Sequence, residues 1–357
     1  MDGAPVRPAV AGGALLLAVA CWAPSGAPPA PSQPTVLSSP DGVSLVLERV
    51  ATAHMPVAFV AVGQRLYVGE LSSGRIVSDG REVADLAVSA GAESGLESLA
   101  VGAGGRTLFA YYSASSDPPA DGGAAAAARV ARFAVRRDGT LGRPETILEV
   151  PGAGVHNAGA VGVGPDGLVY VNLGDNIRRG AAQDLGSPFG KILRLRPDGR
   201  PAPGNPFPRR RGADPRVWAL GIRNTFAFTW LAGGTMVGAD NGERAGDEVN
   251  VLRAGANYGW PPETAPRGAV EPLLLWPDTF APAGLAAVPA GWGPWSRGDK
   301  VLACGAVARR MDLIDLDRPA VAPQPVLDGC PFALAGTRDG AVLFATDDGV
   351  WRLAPSG

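Results

Sequence analysis

The feature that most constrains this chain is a glycine followed by a short apolar strand, met six times. The copies are Gly63-Gln-Arg-Leu-Tyr-Val, Gly105-Arg-Thr-Leu-Phe-Ala, Gly167-Leu-Val-Tyr-Val, Gly234-Thr-Met-Val-Gly, Gly298-Asp-Lys-Val-Leu-Ala and Gly340-Ala-Val-Leu-Phe-Ala. They stand 42, 62, 67, 64 and 42 residues apart, room enough for a four-stranded sheet in each interval. Further strand-like runs lie at Val43 to Val50, Ala128 to Val135, Lys191 to Leu195 and Val350 to Leu353. Helical periodicity is nearly absent, and Gly 50 and Pro 34 in 357 residues suit turns rather than helix interiors. Sheets that cannot bury both faces alone must stack, and radial stacking gives a propeller. The sequence therefore predicts an all-β fold, a six-bladed β-propeller with four-stranded antiparallel blades, over residues 41–357. The run at Val43 to Val50 is expected to complete the last blade. A β-sandwich is the alternative, and it gives no reason for so regular a recurrence.

Arg7 precedes an apolar run from Ala9 to Ala20. That run is too short to span a bilayer and has the size of a signal-peptide core. Ala18-Val19-Ala20-Cys21 resembles a bacterial lipobox, with Ala18 where Leu usually stands. Residues 1–20 thus read as a signal peptide, Cys21 as a lipidation site, and 21–40, rich in Pro, Ser and Ala, as a tether. An ordinary secretory signal is the alternative. Either way the chain is expected to be exported, to the periplasm or cell envelope, with a lipid anchor to a membrane in the first case. Export permits a disulfide, and with Cys21 lipidated, Cys304 and Cys330 remain as a bonded pair or as two buried thiols. A net charge of −2 offers no basic surplus to nucleic acid, and two histidines with three cysteines leave no His- or Cys-rich zinc site.

Long segments between repeats concentrate between residues 150 and 262. In a propeller such loops crowd one end of the channel, where ligands bind. Three polar clusters lie there. His156, in Val155-His156-Asn157-Ala158-Gly159, has the chemistry of a proton acceptor, with a lone surface imidazole as the alternative. Arg223-Asn224 pairs a fixed cation with an amide, suited to an anionic group or a quinone oxygen, or else to a structural ion pair. Asp240-Asn241-Gly242-Glu243-Arg244-Ala245-Gly246-Asp247-Glu248 is a curling acidic loop of hard oxygen ligands. That composition suits Ca²⁺ without EF-hand spacing, and a solvated acidic loop is the alternative. Tyr258 and Trp260 follow it.

In order, these pieces resemble the glucose/sorbosone dehydrogenase family, six-bladed propellers that use pyrroloquinoline quinone (PQQ). The resemblance covers roughly residues 50–355. It is carried by Glu93-Ser-Gly-Leu-Glu-Ser-Leu-Ala, His156-Asn-Ala-Gly, Gly164-Pro-Asp-Gly-Leu-Val-Tyr-Val-Asn-Leu-Gly-Asp175, Gly190-Lys-Ile-Leu-Arg-Leu, Gly221-Ile-Arg-Asn224, Gly246-Asp-Glu-Val-Asn250 and Gly255-Ala-Asn-Tyr-Gly-Trp-Pro261. The resemblance implies oxidation of an aldose sugar at C1 by hydride transfer to the quinone. His156 would be the base, Arg223 would stabilise charge on the quinone, and Arg223, Asn224 and Asn241 would contact it. Ca²⁺ would sit on the backbone carbonyls of Gly242 and Glu243, with Asp247, Glu248 and Tyr258 in the family's other calcium region.

The chain departs from the family pattern in four places. Ala158 stands for the usual Gly, Thr225 for Pro, and Glu243 for a frequent Pro. Where the family carries Arg-x-Arg-Asp against the PQQ carboxylates, this chain has Gly329-Cys-Pro-Phe-Ala-Leu334. Two lost charge-assisted contacts weaken cofactor binding by more than about a hundredfold. Two other functions therefore stand beside the dehydrogenase. One is a catalytically silent propeller binding a carbohydrate or a protein at the cell surface. The other is a Ca²⁺-dependent lactone hydrolase.

Overall fold

The computed structural model describes residues 34–39, 41–91, 93–115, 126–152 and 155–356. The signal segment, Cys21 and most of the tether lie outside the described residues. Strand β1 (Thr35–Ser38) and strand β2 (Ser44–Thr52) come first. Blade 1 is β3 (Ala58–Val62), β4 (Arg65–Gly69), β5 (Arg75–Ser78) and β6 (Arg81–Asp85). Blade 2 is β7 (Leu96–Val101), β8 (Thr107–Ala114), β9 (Ala127–Ala134) and β10 (Glu145–Pro151). Blade 3 is β11 (Ala158–Val163), β12 (Val169–Leu173), β13 (Lys191–Leu195) and β14 (Val217–Leu220). Blade 4 is β15 (Ala227–Trp230), β16 (Met236–Asp240), β17 (Glu248–Leu252) and β18 (Leu274–Leu275). Blade 5 is β19 (Pro282–Ala287), β20 (Lys300–Gly305), β21 (Arg310–Asp315) and β22 (Gln324–Asp328). Blade 6 opens with β23 (Leu334–Gly336), β24 (Val342–Thr346) and β25 (Gly349–Pro355).

Each sheet is antiparallel and ordered by sequence, so the protein is a six-bladed β-propeller. The recurrent glycines explain themselves. Gly63, Gly105, Gly167, Gly234, Gly298 and Gly340 all join the first strand of a blade to the second, and all six have φ between 62° and 84°. A left-handed turn at that point is cheap only for glycine. The strand after each glycine is buried on both faces by neighbouring blades, which is why it reads as a continuous apolar run rather than an alternation. In β12 and β16 every residue is buried.

The ring closes by pairing the two ends of the chain. β2 lies antiparallel to β25, from Leu45 opposite Pro355 to Thr52 opposite Gly349. The end of the expected tether adds to this blade, because β1 pairs with β2 as a fifth strand. Its Leu37 packs against the core between blades 5 and 6, a contact that the Pro- and Ser-rich surroundings conceal. Buried side chains gather into six clusters, one at each interface between adjacent blades.

Cys304, in β20, is disulfide-bonded to Cys330 in the loop leading to β23, with Cα atoms 5.3 Å apart. The bond ties blade 5 to blade 6 and closes a loop of 26 residues. Chain-entropy arithmetic for that loop gives about 3.5 kcal/mol. Cys304→Ala with Cys330→Ala should lower the urea midpoint accordingly, measured by tryptophan fluorescence. An unchanged midpoint would show that the bond does not constrain the unfolded chain.

Candidate active site

The glycine turns occupy one end of the ring. At the other end lie the loops that lead into each inner strand and leave each second strand. His156 is in the loop before β11, Asp175 just after β12, Arg223 before β15, and Asp240 at the end of β16. Topology thus gathers them on one rim.

The imidazole is held from both sides. Its Nδ1 lies 2.7 Å from Asp175 Oδ1, and Arg223 Nη2 donates to Nε2 at 3.0 Å. A guanidinium has only donors, so Nε2 is the unprotonated nitrogen and Nδ1–H donates to Asp175. Asp175 Oδ2 accepts the Trp260 indole N–H at 2.8 Å, and Oδ1 also accepts the Ile177 amide at 3.0 Å. Burial would raise the Asp175 pKa, but these bonds, His156 foremost, hold it below the usual carboxylate value. The imidazole and the carboxylate that orients it are therefore both fixed.

The backbone around His156 is strained and pinned. His156 has φ 54° and Ala158 φ 61°, left-handed values unfavourable for residues with a Cβ. Glu93 Oε2 accepts the His156 amide at 2.7 Å, and Asn224 Oδ1 accepts the Ala158 amide at 3.0 Å. Asn224 Nδ2 donates to the same Glu93 oxygen at 3.3 Å. Both ends of the Asn224 amide thus help to shape the histidine loop.

Arg223 is set by Asp240, whose two oxygens accept the Arg223 and Asn224 amides at 2.8 and 2.6 Å. Its Nη1 donates to the Asn241 carbonyl at 3.0 Å, and Asn241 Nδ2 donates to the carbonyls of Asn224 and Pro282. The Arg223 guanidinium carbon lies 5.4 Å from the Trp260 ring centre, and that of Arg179 lies 4.3 Å from it.

The acidic loop divides. Asp247 is not turned toward a cation: its oxygens accept the amides of Gly242, Phe280 and Ala281 at 2.7 to 2.9 Å. The Tyr258 hydroxyl donates to the Val251 carbonyl and accepts the Arg253 amide. The Glu243 side chain is exposed and pairs with Arg179, which leaves only its carbonyl for a metal. Glu248 lies directly across the sheet from Asp240. Burial and the Asp240 charge push it up to about 8. Beside it Asn250 Oδ1 is buried without a partner.

Asp175, Asp240 and Glu97 also matter here, Asp240 standing in the sequence only as part of the acidic loop. The first two share a recognisable signal, an Asp at the rim end of a second strand. Glu97, on inner strand β7, faces the central channel, a space of about 350 Å³. It accepts the Ser113 hydroxyl and the Gly95 amide, while Oε2 is buried without a partner. Burial raises its pKa from 4.5 to about 8. Between those values the unfolded chain has released the proton that the folded chain keeps. Stability therefore falls with rising pH, by about 1.4 kcal/mol per unit, until both forms are ionised. Glu97→Gln should remove that slope, resisting urea better than the wild type above about pH 8 and equally below about pH 4. Parallel pH dependence in the two proteins would contradict this.

A family model described as Glucose / Sorbosone dehydrogenase matches residues 64–349. The chain belongs to the glucose/sorbosone dehydrogenase family. Among solved structures, it is similar to an oxidoreductase (glucose dehydrogenase) from Thermus thermophilus, at 31% identity and TM-score 0.73, covering 87% of this chain and 100% of that one. It is also similar to the PQQ-bound aldose sugar dehydrogenase of Streptomyces coelicolor, at 26% identity and TM-score 0.72, covering 91% and 99%. An aldose sugar dehydrogenase of Escherichia coli is 32% identical over 157 residues, 37% of this chain and 40% of that protein. The matches to curated relatives thus span less than half of their length.

Glu243 and Glu263 pair with Arg179, which lies with Arg223 over the indole ring of Trp260. The Arg223 Nε, buried without a partner, is an orphaned donor beside it. At this end the residues fit PQQ. The other end differs: Cys330 is disulfide-bonded and Phe332 is buried between blades 6 and 1. The nearest cation in the backbone network is Arg309, whose carbonyl accepts the Gly329 amide at 2.7 Å. Its guanidinium is paired with Asp347 at 2.6 Å. Gly242, Glu243 and Glu248 line one pocket beside Arg223 and Asp240.

Proposed function

We propose that this chain is an exported, PQQ- and Ca²⁺-dependent aldose dehydrogenase that oxidises its sugar at C1. The observation that carries the reading is the His156 imidazole, fixed by Asp175 with Nε2 left as the base. Arg223, Trp260 and Arg179 would hold PQQ, and Gly242, Glu243 and Glu248 would hold Ca²⁺. PQQ, when bound, supplies the two-electron acceptor for the C1 hydride. The protein supplies the proton chemistry. His156 Nε2 exchanges its bond from Arg223 for the anomeric hydroxyl and takes that proton. Asp175 stabilises the imidazolium that forms, and the Trp260 N–H keeps the carboxylate aligned. Arg223, released from Nε2, turns its charge toward the developing negative oxygen. Export is supported by the Cys304–Cys330 disulfide, a bond that persists in oxidising compartments, while cleavage near residue 20 and lipidation of Cys21 rest on Ala18-Val19-Ala20-Cys21.

Calorimetry with PQQ and Ca²⁺, followed by glucose with an artificial electron acceptor, tests the reading. Saturable PQQ binding and sugar-dependent turnover are expected. No binding and no turnover across a panel of aldoses would overturn it. A second reading, a catalytically silent propeller that binds carbohydrate or a protein at the cell surface, is favoured by the cation-free stretch from Gly329 to Leu334. Sugar binding without quinone-dependent turnover would select it.

A further inference from the structure

The end of the ring opposite His156 carries a cleft of about 420 Å³ between blades 3 and 4. Tyr170, Trp218 and Trp230 line it, with Asp166, Thr235 and Arg253 at its edges. Asp166 and Thr235 belong to the glycine turns of their blades, and Arg253 follows β17. The aromatic lining is built by omission. A Cβ on Gly162 would come within 2.6 Å of the Phe228 ring and 3.0 Å of Trp230, and one on Gly164 within 2.8 Å of Tyr170. Tyr170 meets Trp218 and Trp230 edge to face, at 5.3 and 5.4 Å between ring centres.

The indole donors are distributed unevenly. Of the eight tryptophans, Trp22 lies outside the described residues. Trp260, Trp276, Trp292, Trp295 and Trp351 donate their N–H within the protein. Among the described residues the remaining two, Trp218 and Trp230, have no protein partner, and both line this cleft. Neither N–H is buried without a partner, so both are open to solvent and to an acceptor from outside. At the mouth, Asp166 is an anionic acceptor. Burial would raise its pKa, but the ion pair with Arg194 at 2.8 Å and bonds from Leu168 and Tyr170 lower it. The exposed Arg253 adds donors.

We infer that this cleft is a second, non-catalytic saccharide site that takes a pyranose ring against its indoles, with hydroxyls on Asp166, Arg253 and the two indole N–H groups. A pyranose presents both an apolar C–H face and a ring of donors and acceptors, which matches this lining. A purely apolar ligand would leave the indole donors unmet. The inference does not depend on the redox reading.

Methyl β-D-glucopyranoside tests it, because its blocked anomeric oxygen prevents oxidation at C1. Binding to the cofactor-free full chain is followed by saturation-transfer NMR and tryptophan fluorescence. Saturable binding is expected. Trp230→Phe and Asp166→Asn, each with unchanged circular dichroism, should weaken it about tenfold or more. His156→Ala should leave it unaltered. No saturable signal, or binding lost in His156→Ala and kept in both cleft variants, would overturn the inference.

Discussion

His156→Ala should lower kcat for aldose oxidation by about 10²- to 10⁴-fold, the usual contribution of a positioned general base. PQQ affinity should change little, because the substitution removes neither Arg223 nor the Trp260 face. The argument rests on a nitrogen whose state is fixed by its neighbours. Arg223 can only donate, so Nε2 must accept, and a sugar hydroxyl arriving in place of that guanidinium meets a lone pair. The loop geometry gives the imidazole little freedom to adapt. Glu93 and Asn224 hold the left-handed backbone at His156 and Ala158. Steady-state kinetics together with a fluorescence titration of PQQ separate the two effects. Normal turnover in the variant would remove the proton-acceptor role.

Asp175→Asn should be nearly as damaging, lowering kcat by about 10²- to 10⁴-fold with the fold intact. The change is nearly isosteric, so packing is preserved. What it alters is the tautomer. An amide turned with its NH2 toward Nδ1 stabilises the proton on Nε2, and the base is lost. An amide turned the other way leaves Nδ1–H bonded but loses the charge that stabilises the imidazolium. The Trp260 indole favours the first arrangement, whereas the Ile177 amide at Oδ1 and the Arg223 donor at Nε2 favour the second. Proton NMR of the imidazole would show the tautomer directly. Lost activity is the expected result with either tautomer, and full activity in the variant would contradict the account.

The fold is legible because one physical requirement repeats. Six turns demand a left-handed residue, and glycine meets that demand cheaply, so the turns punctuate the sequence. β1 escapes notice because it buries little beyond Leu37. At the site, His156 and Arg223 are legible by residue type and loop position. Asp175 is harder to read, since its role follows from strand order, which brings the end of β12 to the same rim as the loop before β11. Asp247 and Tyr258 are hard to read for a related reason. Side-chain chemistry shows that an oxygen can bind a metal, but not that backbone amides and carbonyls have already engaged it. Glu97 sits on a β-strand like its neighbours, and only the packed ring reveals that one of its oxygens is enclosed. The disulfide resolves a choice that three cysteines alone leave open, because blades 5 and 6 meet where Cys304 and Cys330 stand.

The central claim is that the rim site takes a hydride from C1 while His156 takes the proton. Its most direct measurement is anaerobic single-turnover reduction of the PQQ-loaded protein by glucose carrying hydrogen or deuterium at C1, followed by quinone absorbance. The account predicts complete loss of the quinone band in the wild type, slower with deuterium, and little change in His156→Ala over the same time. No change with any aldose, or equal rates in the wild type and His156→Ala, would contradict it.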